Sequence, residues 1–132
     1  MQVLIGELGE LGRRAVACKH WRWMPGMAIL TSGEPYRLTQ TDTAFFTIGP
    51  DADVIIIGFD QGHHLTPDLS DPATLGCLLH LVREACGNMQ ACSYSENHVS
   101  WGVFVYAGIY LNRLSEDCES EAEALVAALE AV

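Results

Sequence analysis

The chain has 132 residues, 49% of them apolar, and its seven Lys and Arg against 17 Asp and Glu give a net charge of −10. Such a length and apolar content suit a single domain, 1–132, with a real core, and exclude disorder along the whole chain. No run approaches the roughly 18 apolar residues of a membrane-spanning helix, and a start carrying Glu7 and Glu10 without a basic n-region argues against a cleaved secretion signal.

Residues 3–20 read as a helix, with Leu4, Leu8, Leu11, Ala15 and Cys18 at spacings of three and four. Gly6, Gly9 and Gly12 weaken it, each costing about 1 kcal/mol against alanine. A glycine period of three could also admit another backbone, but the simpler reading is a poor first turn. Trp21-Arg22-Trp23 leads into Pro25-Gly26, which ends the pattern. Trp21, Trp23, Met24 and Met27 read as a cap on the core, with Arg22 pointing outward.

Four runs with strand chemistry follow, 27–32, 36–40, 43–48 and 53–59, separated by turn residues at 32–35, 41–42 and 49–51. Val54-Ile55-Ile56-Ile57 is apolar on both faces, which predicts a central place in a sheet. Residues 60–71 read as a polar loop holding His63-His64. Asp71-Pro72 then predicts a helix cap with proline in the first turn, Leu75, Leu78, Leu79, Val82 and Cys86 form an apolar stripe, and Gly87-Asn88 stops it.

Residues 88–97 read as a loop. From 98 to 106 the chain alternates, with Val99, Trp101, Val103 and Val105 on one face and Phe104 and Tyr106 on the other. Gly108 marks a turn or bulge before 109–113, and 114–120 reads as an acidic, exposed tail. Ser120 with Glu123 matches a capping box ahead of Leu125, Val126 and Leu129, and Glu119, Glu121 and Glu123 suit the positive end of that helix. The order predicts an α+β fold: a mostly antiparallel sheet of about five to six short strands with about three helices packed on one face.

The charge is uneven. Residues 1–37 carry a net +2 and residues 38–132 a net −12. Such a chain repels phosphate backbones, which argues against direct binding of nucleic acid, and is drawn to basic protein surfaces, including channels that hold nucleic acid. Solubility alone accounts for acidity equally well. The candidate partner-binding residues are Asp51, Asp53, Asp60, Asp68, Glu96, Glu116, Asp117 and Glu119. Tyrosines exposed within such a surface would suit a protein interface.

Five cysteines, Cys18, Cys77, Cys86, Cys92 and Cys118, are an odd number, which fits free thiols in a reducing cytoplasm. Cys77 and His80 share a helix face, and Cys86, Cys92 and His98 follow at even spacing, but no spacing matches a zinc pattern. A Cys–His pair could be assembled in space. No nucleophile elbow, metalloprotease helix or phosphate loop is present, so the expectation is a protein that is not an enzyme and holds no cofactor or metal. The alternative is a small-ligand protein that sequesters a nucleotide signal, with a pocket drawn from Arg13, Arg14, Arg22, Arg37 or Arg113. A glycine-faced first helix or an open sheet edge could support a homodimer.

Three blocks carry a resemblance: Trp21-Arg22-Trp23-Met24-Pro25-Gly26-Met27, the stretch 67–85 with Asp71-Pro72-Ala73-Thr74-Leu75-Gly76-Cys77-Leu78-Leu79, and 120–131 with Glu121-Ala122-Glu123-Ala124-Leu125-Val126-Ala127-Ala128-Leu129. In this order, over 38 of 132 positions, the chain resembles small proteins encoded by tailed phages and prophages. The resemblance implies the cytoplasm of an infected bacterium, and no reaction. By analogy with small acidic phage accessory proteins, it implies an inhibitor of a host defence protein or complex, with a CRISPR–Cas effector as the sharpest case.

Overall fold

Side chains that satisfy helix ends determine where the helices begin and stop. The computed structural model describes residues 5–30, 36–40, 45–48, 54–56, 65–95, 99–107 and 110–132. Within these, α1 spans Ile5–Ala17, α2 Pro72–Cys86 and α3 Glu121–Ala131. Asp71 caps α2 from extended backbone, its carboxylate accepting from the Thr74 N–H at 3.0 Å, and Pro72 sits where no amide hydrogen is missed. Gly87 ends the helix at φ 70°, with the Asn88 N–H donating to the Arg83 carbonyl and the Gly87 N–H to that of Glu84. Ser120 caps α3 by accepting from the Glu123 N–H at 3.1 Å. The Glu123 carboxylate reaches back to the Glu119 N–H, one residue ahead of the usual capping-box donor.

The strands fall into two antiparallel sheets where the pattern pointed to one. β1 (Ala28–Ile29), β2 (Tyr36–Gln40), β3 (Phe45–Ile48) and β4 (Val54–Ile56) lie side by side in chain order, as short connections dictate. β4 is a terminal strand among the described residues, so the central place expected for Val54-Ile55-Ile56-Ile57 is corrected: an apolar run does not say which strands flank it. β5 (Cys92–Ser95), β6 (Trp101–Ala107) and β7 (Tyr110–Cys118) form the second sheet.

Three expectations change in that sheet. Residues 92–95 are a strand and not a loop. Residues 114–118 extend β7 instead of forming a tail: Leu114 packs against the core, Cys118 is buried, and the Ser115 hydroxyl donates to the Ala124 carbonyl of α3 at 2.7 Å. Val99 is 72% exposed and precedes β6, so the inward face begins at Trp101 and continues through Val103 and Val105. The turns at 32–35, 41–42 and 49–51, and Gly108, lie outside the described residues.

α3 buries Ala122, Ala124, Leu125, Val126, Ala128 and Leu129, and a helix apolar over so much of its surface must be largely enclosed. It lies against all three strands of the second sheet and against both other helices. The helices are therefore not ranked side by side on one face: α3 covers the sheet, and α1 and α2 pack on α3. Leu125, Val126 and Leu129 join Leu78, Leu81, Val82, Val103, Trp23 and Met27 in one core. The tryptophans do cap that core: Trp23 is buried, and Trp21 meets it edge-to-face at 5.4 Å. Arg22 points outward, and its Nη2 donates to Glu84 of α2 at 2.7 Å.

α1 descends onto the segment that bridges β1 through Ile29 and Pro67. A methyl group at Gly12 would lie 2.4 Å from Thr66 Cγ2 and 3.0 Å from the Pro67 carbonyl oxygen. Gly12 is thus a point of close backbone approach, which corrects its reading as part of a poor first turn. Nothing lies within 4 Å of the same position at Gly6.

Asp71 ties the start of α2 to both neighbouring strands. Arg37 of β2 donates to it at 2.8 Å, the Thr74 hydroxyl donates to it at 2.9 Å, and that hydroxyl accepts from the Ala28 N–H of β1 at 2.9 Å. The Arg37 guanidinium, helped by Thr74, holds the Asp71 carboxyl at about 2, against its usual 3.8. A depressed carboxyl contributes stability that is complete above its unfolded value and is lost as pH falls through the folded one. Asp71→Ala is therefore expected to cost about 1–2 kcal/mol at pH 7. The cost should shrink as pH falls from about 4 toward 2, as urea unfolding at both limits would measure.

Candidate interaction face

The second sheet is covered by α3 on one side. Cys92, Tyr94, Gly102, Phe104 and Tyr106 alternate to the other, given that Cys92 pairs with Phe104 and Tyr94 with Gly102. Their rings form a ladder. Tyr94 meets Phe104 edge-to-face at 5.0 Å, and Phe104 meets Tyr106 at 5.7 Å. Tyr106 is 54% exposed and pairs with exposed Leu111 of β7 on the same face, while exposed Tyr110 pairs with Ala107 and belongs to the other face. The alternation had separated Phe104 and Tyr106 from Trp101, and they do lie on opposite faces.

An irregularity in β7 shapes one end of this face. Trp101 pairs with Cys118 and Val103 with Ser115, so Glu116 and Asp117 together stand opposite Gly102. Two residues against one is a β-bulge, which bends the strand and re-aims its side chains. Asp117 takes the bend at φ 57°, in the left-handed region that aspartate tolerates better than most residues. Gly102 makes room for it: a methyl group there would lie 2.8 Å from the Ser115 carbonyl oxygen and 3.5 Å from the Tyr94 ring. The result is a cavity of about 260 Å³ bounded by Tyr94, Ser100, Gly102, Arg113, Glu116 and Asp117. Arg113 donates to Glu116 at 3.1 Å, and the Ser100 hydroxyl donates to Asp117 at 3.4 Å.

The acidic surface continues from the bulge. Glu119 follows Glu116 and Asp117 along the chain, and all three are exposed. Glu119 also lines a second cleft, about 240 Å³, with Glu7, Glu10, Leu11, Arg14 and Glu123. Three of the eight candidate partner-binding residues are thus exposed at these two clefts. Asp68 does not join them: it is only 9% exposed, and its carboxylate accepts from both the N–H and the hydroxyl of Ser70. Its role is a turn ahead of α2, which corrects its place among surface contributors. Asp51, Asp53, Asp60 and Glu96 lie outside the described residues.

Residue counting missed Glu7, Glu10 and Glu123 as lining residues. Glu7 and Glu10 belong to the net-basic first segment. Three of that segment's arginines are paired with acids of other elements: Arg14, which also lines the second cleft, with Glu130 at 2.6 Å, Arg22 with Glu84 and Arg37 with Asp71. These ion pairs join α1 to α3, the chain after α1 to α2, and β2 to α2. With Arg113 on β7 they do not converge on one pocket, which leaves the small-ligand reading without its basic cluster. Glycine at 102, inside an alternating run, was the available sign of a bulge.

Three of the thiols are shifted away from nucleophilic activation. All five cysteines are unpaired, and burial pushes the Cys18, Cys77 and Cys118 thiols above their usual value, opposite to the shift that activates a cysteine. Cys77 donates to the Pro25 carbonyl and His80 lies 3.2 Å from Glu84. His63, His64 and His98 lie outside the described residues. Among the described residues, no group of three or more metal-ligating side chains is assembled, and no helix is long and apolar enough to cross a membrane. Comparison with protein families, curated proteins and solved structures finds no match.

Proposed function

We propose that this chain is a non-enzymatic inhibitor that docks its acidic face on a basic, nucleic-acid-handling protein of a bacterial defence system. The observation that carries the reading is a pair of acid-lined clefts, one with Glu116 and Asp117 and the other with Glu119, Glu123, Glu7 and Glu10, while Arg14, Arg22 and Arg37 are held in ion pairs with Glu130, Glu84 and Asp71. A surface of one sign speeds encounter with a surface of the other and occupies ground that phosphates would take. The exposed Tyr106 and Leu111 supply apolar area on the face that carries the bulge cavity. The three blocks resembling phage and prophage proteins support the infected bacterial cytoplasm as the setting and a CRISPR–Cas effector as the sharpest target.

The test is phage plaquing on strains that each carry one defence system, with the chain expressed from a plasmid. Plaquing is expected to rise at least about tenfold on one strain. Glu116→Lys, Asp117→Lys and Glu119→Lys together are expected to remove that rise, since reversing a steering charge slows association by roughly tenfold or more. Relief that survives the triple reversal would contradict docking through this acidic face.

A further inference from the structure

The bulge cavity has a chemistry of its own. It brings together the ring of Tyr94, lying over Gly102, and the carboxylates of Glu116 and Asp117. Arg113 balances one of those two charges through its bond to Glu116, so the cavity remains net negative. An aromatic face with carboxylates around it suits a cation, and a planar one best: a guanidinium stacks on a ring while its fork of N–H donors meets carboxylate oxygens. An ammonium has neither the plane nor the fork.

We propose that this cavity receives an arginine side chain of the partner, with the flanking residues of that partner laid along the Phe104 and Tyr106 rings. The proposal rests on the reading of the chain as a binder of basic proteins, and it names the group that is bound. Gly102 is what keeps the cavity open, since any side chain there meets β7 backbone and the Tyr94 ring. The bulge is what places two carboxylates in the cavity where a regular strand would place one.

The experiment needs no partner. Amide resonances of the labelled full chain are followed while N-acetyl-arginine methylamide is added, with the lysine and citrulline counterparts and inorganic phosphate in parallel titrations. Saturable shifts are expected at residues 94, 100–102 and 113–117 with arginine, smaller ones with lysine, and none with citrulline, which keeps the shape and lacks the charge. Tyr94→Leu is expected to weaken arginine binding roughly two- to fivefold, the worth of one exposed cation–π contact, and Tyr94→Phe to retain it. Asp117→Asn, which keeps a residue suited to the left-handed backbone, gives a second variant with the same expected loss. Citrulline binding as well as arginine, shifts confined to the Glu7, Glu10 and Glu123 cleft, or phosphate as the sole binder would each overturn the proposal. If arginine fails to bind while the wild-type chain still relieves a defence strain, the cavity is wrong and the acidic docking stands. If arginine binds and no strain is relieved, the defence reading fails and the cavity stands.

Discussion

Leu125→Ala is expected to lower the unfolding free energy by about 3–5 kcal/mol, a large share of the roughly 5–15 kcal/mol a domain of this kind possesses. Leu125 is fully buried in α3, the element enclosed by the second sheet on one side and by α1 and α2 on the other. Truncation there empties volume that three neighbouring elements define. They cannot collapse into it together without giving up contacts of their own. Leu111→Ala, on the exposed side of β7, is the matched comparison and should change stability by no more than about 0.5 kcal/mol. Urea unfolding of both variants measures the difference. A Leu125→Ala cost near that of Leu111→Ala would mean that α3 is not the centre of the core.

Two glycines of one helix are expected to respond with opposite signs. Gly6→Ala should stabilise by up to about 1 kcal/mol, since nothing lies within 4 Å of the added methyl and alanine is the better helix former. Gly12→Ala gains the same propensity and loses more. Its methyl would meet Thr66 Cγ2 at 2.4 Å, on a β-branched side chain with little freedom to turn away, and the Pro67 carbonyl oxygen at 3.0 Å. Overpacking of this kind costs about 1–3 kcal/mol, so the net effect is destabilising. Denaturant midpoints of the two variants decide the matter. Stabilisation by both would mean that α1 does not rest on the segment bridging β1.

The helices were legible in the residues because their local signals agree. At α2 the cap, the proline, the apolar stripe and the stop residue all point to Pro72–Cys86, and that is what forms. At α3 the capping box marks the start, and Leu125, Val126 and Leu129 follow at helical spacing. The second sheet was harder. Cys92-Ser93-Tyr94-Ser95 alternates over four residues only, and without aliphatic side chains: Cys92 and Tyr94 lie on the open aromatic face, and the other face carries small hydroxyls. One of these, Ser93, donates to Glu121 of α3 at 2.8 Å. Residues 114–118 look like a tail when counted by charge, yet Leu114, Ser115 and Cys118 pack inward around the two exposed acids of the bulge.

The candidate face was half legible. Glu116, Asp117 and Glu119 were picked out by charge alone, and all three are exposed, the first two at the bulge cavity and the third at the second cleft. What charge counting could not reveal is space: Glu7 and Glu10 come from a net-basic segment, and Asp68, which counts the same as any acid, is buried in its own turn. The bulge that aims Glu116 and Asp117 depends on a pairing register between two strands, which no local pattern records.

Docking through the acidic face is tested most directly on the purified nucleic-acid-handling complex of whichever defence strain is relieved. The quantity to measure is the association rate of the wild-type chain and of the Glu116→Lys, Asp117→Lys, Glu119→Lys variant across a range of salt, with the complex's own nucleic acid as competitor. The account predicts a wild-type rate that falls steeply with salt, a variant rate that is lower and nearly flat, and nucleic acid that competes with the wild-type chain. Equal rates for the two proteins, or simultaneous binding of chain and nucleic acid, would contradict it.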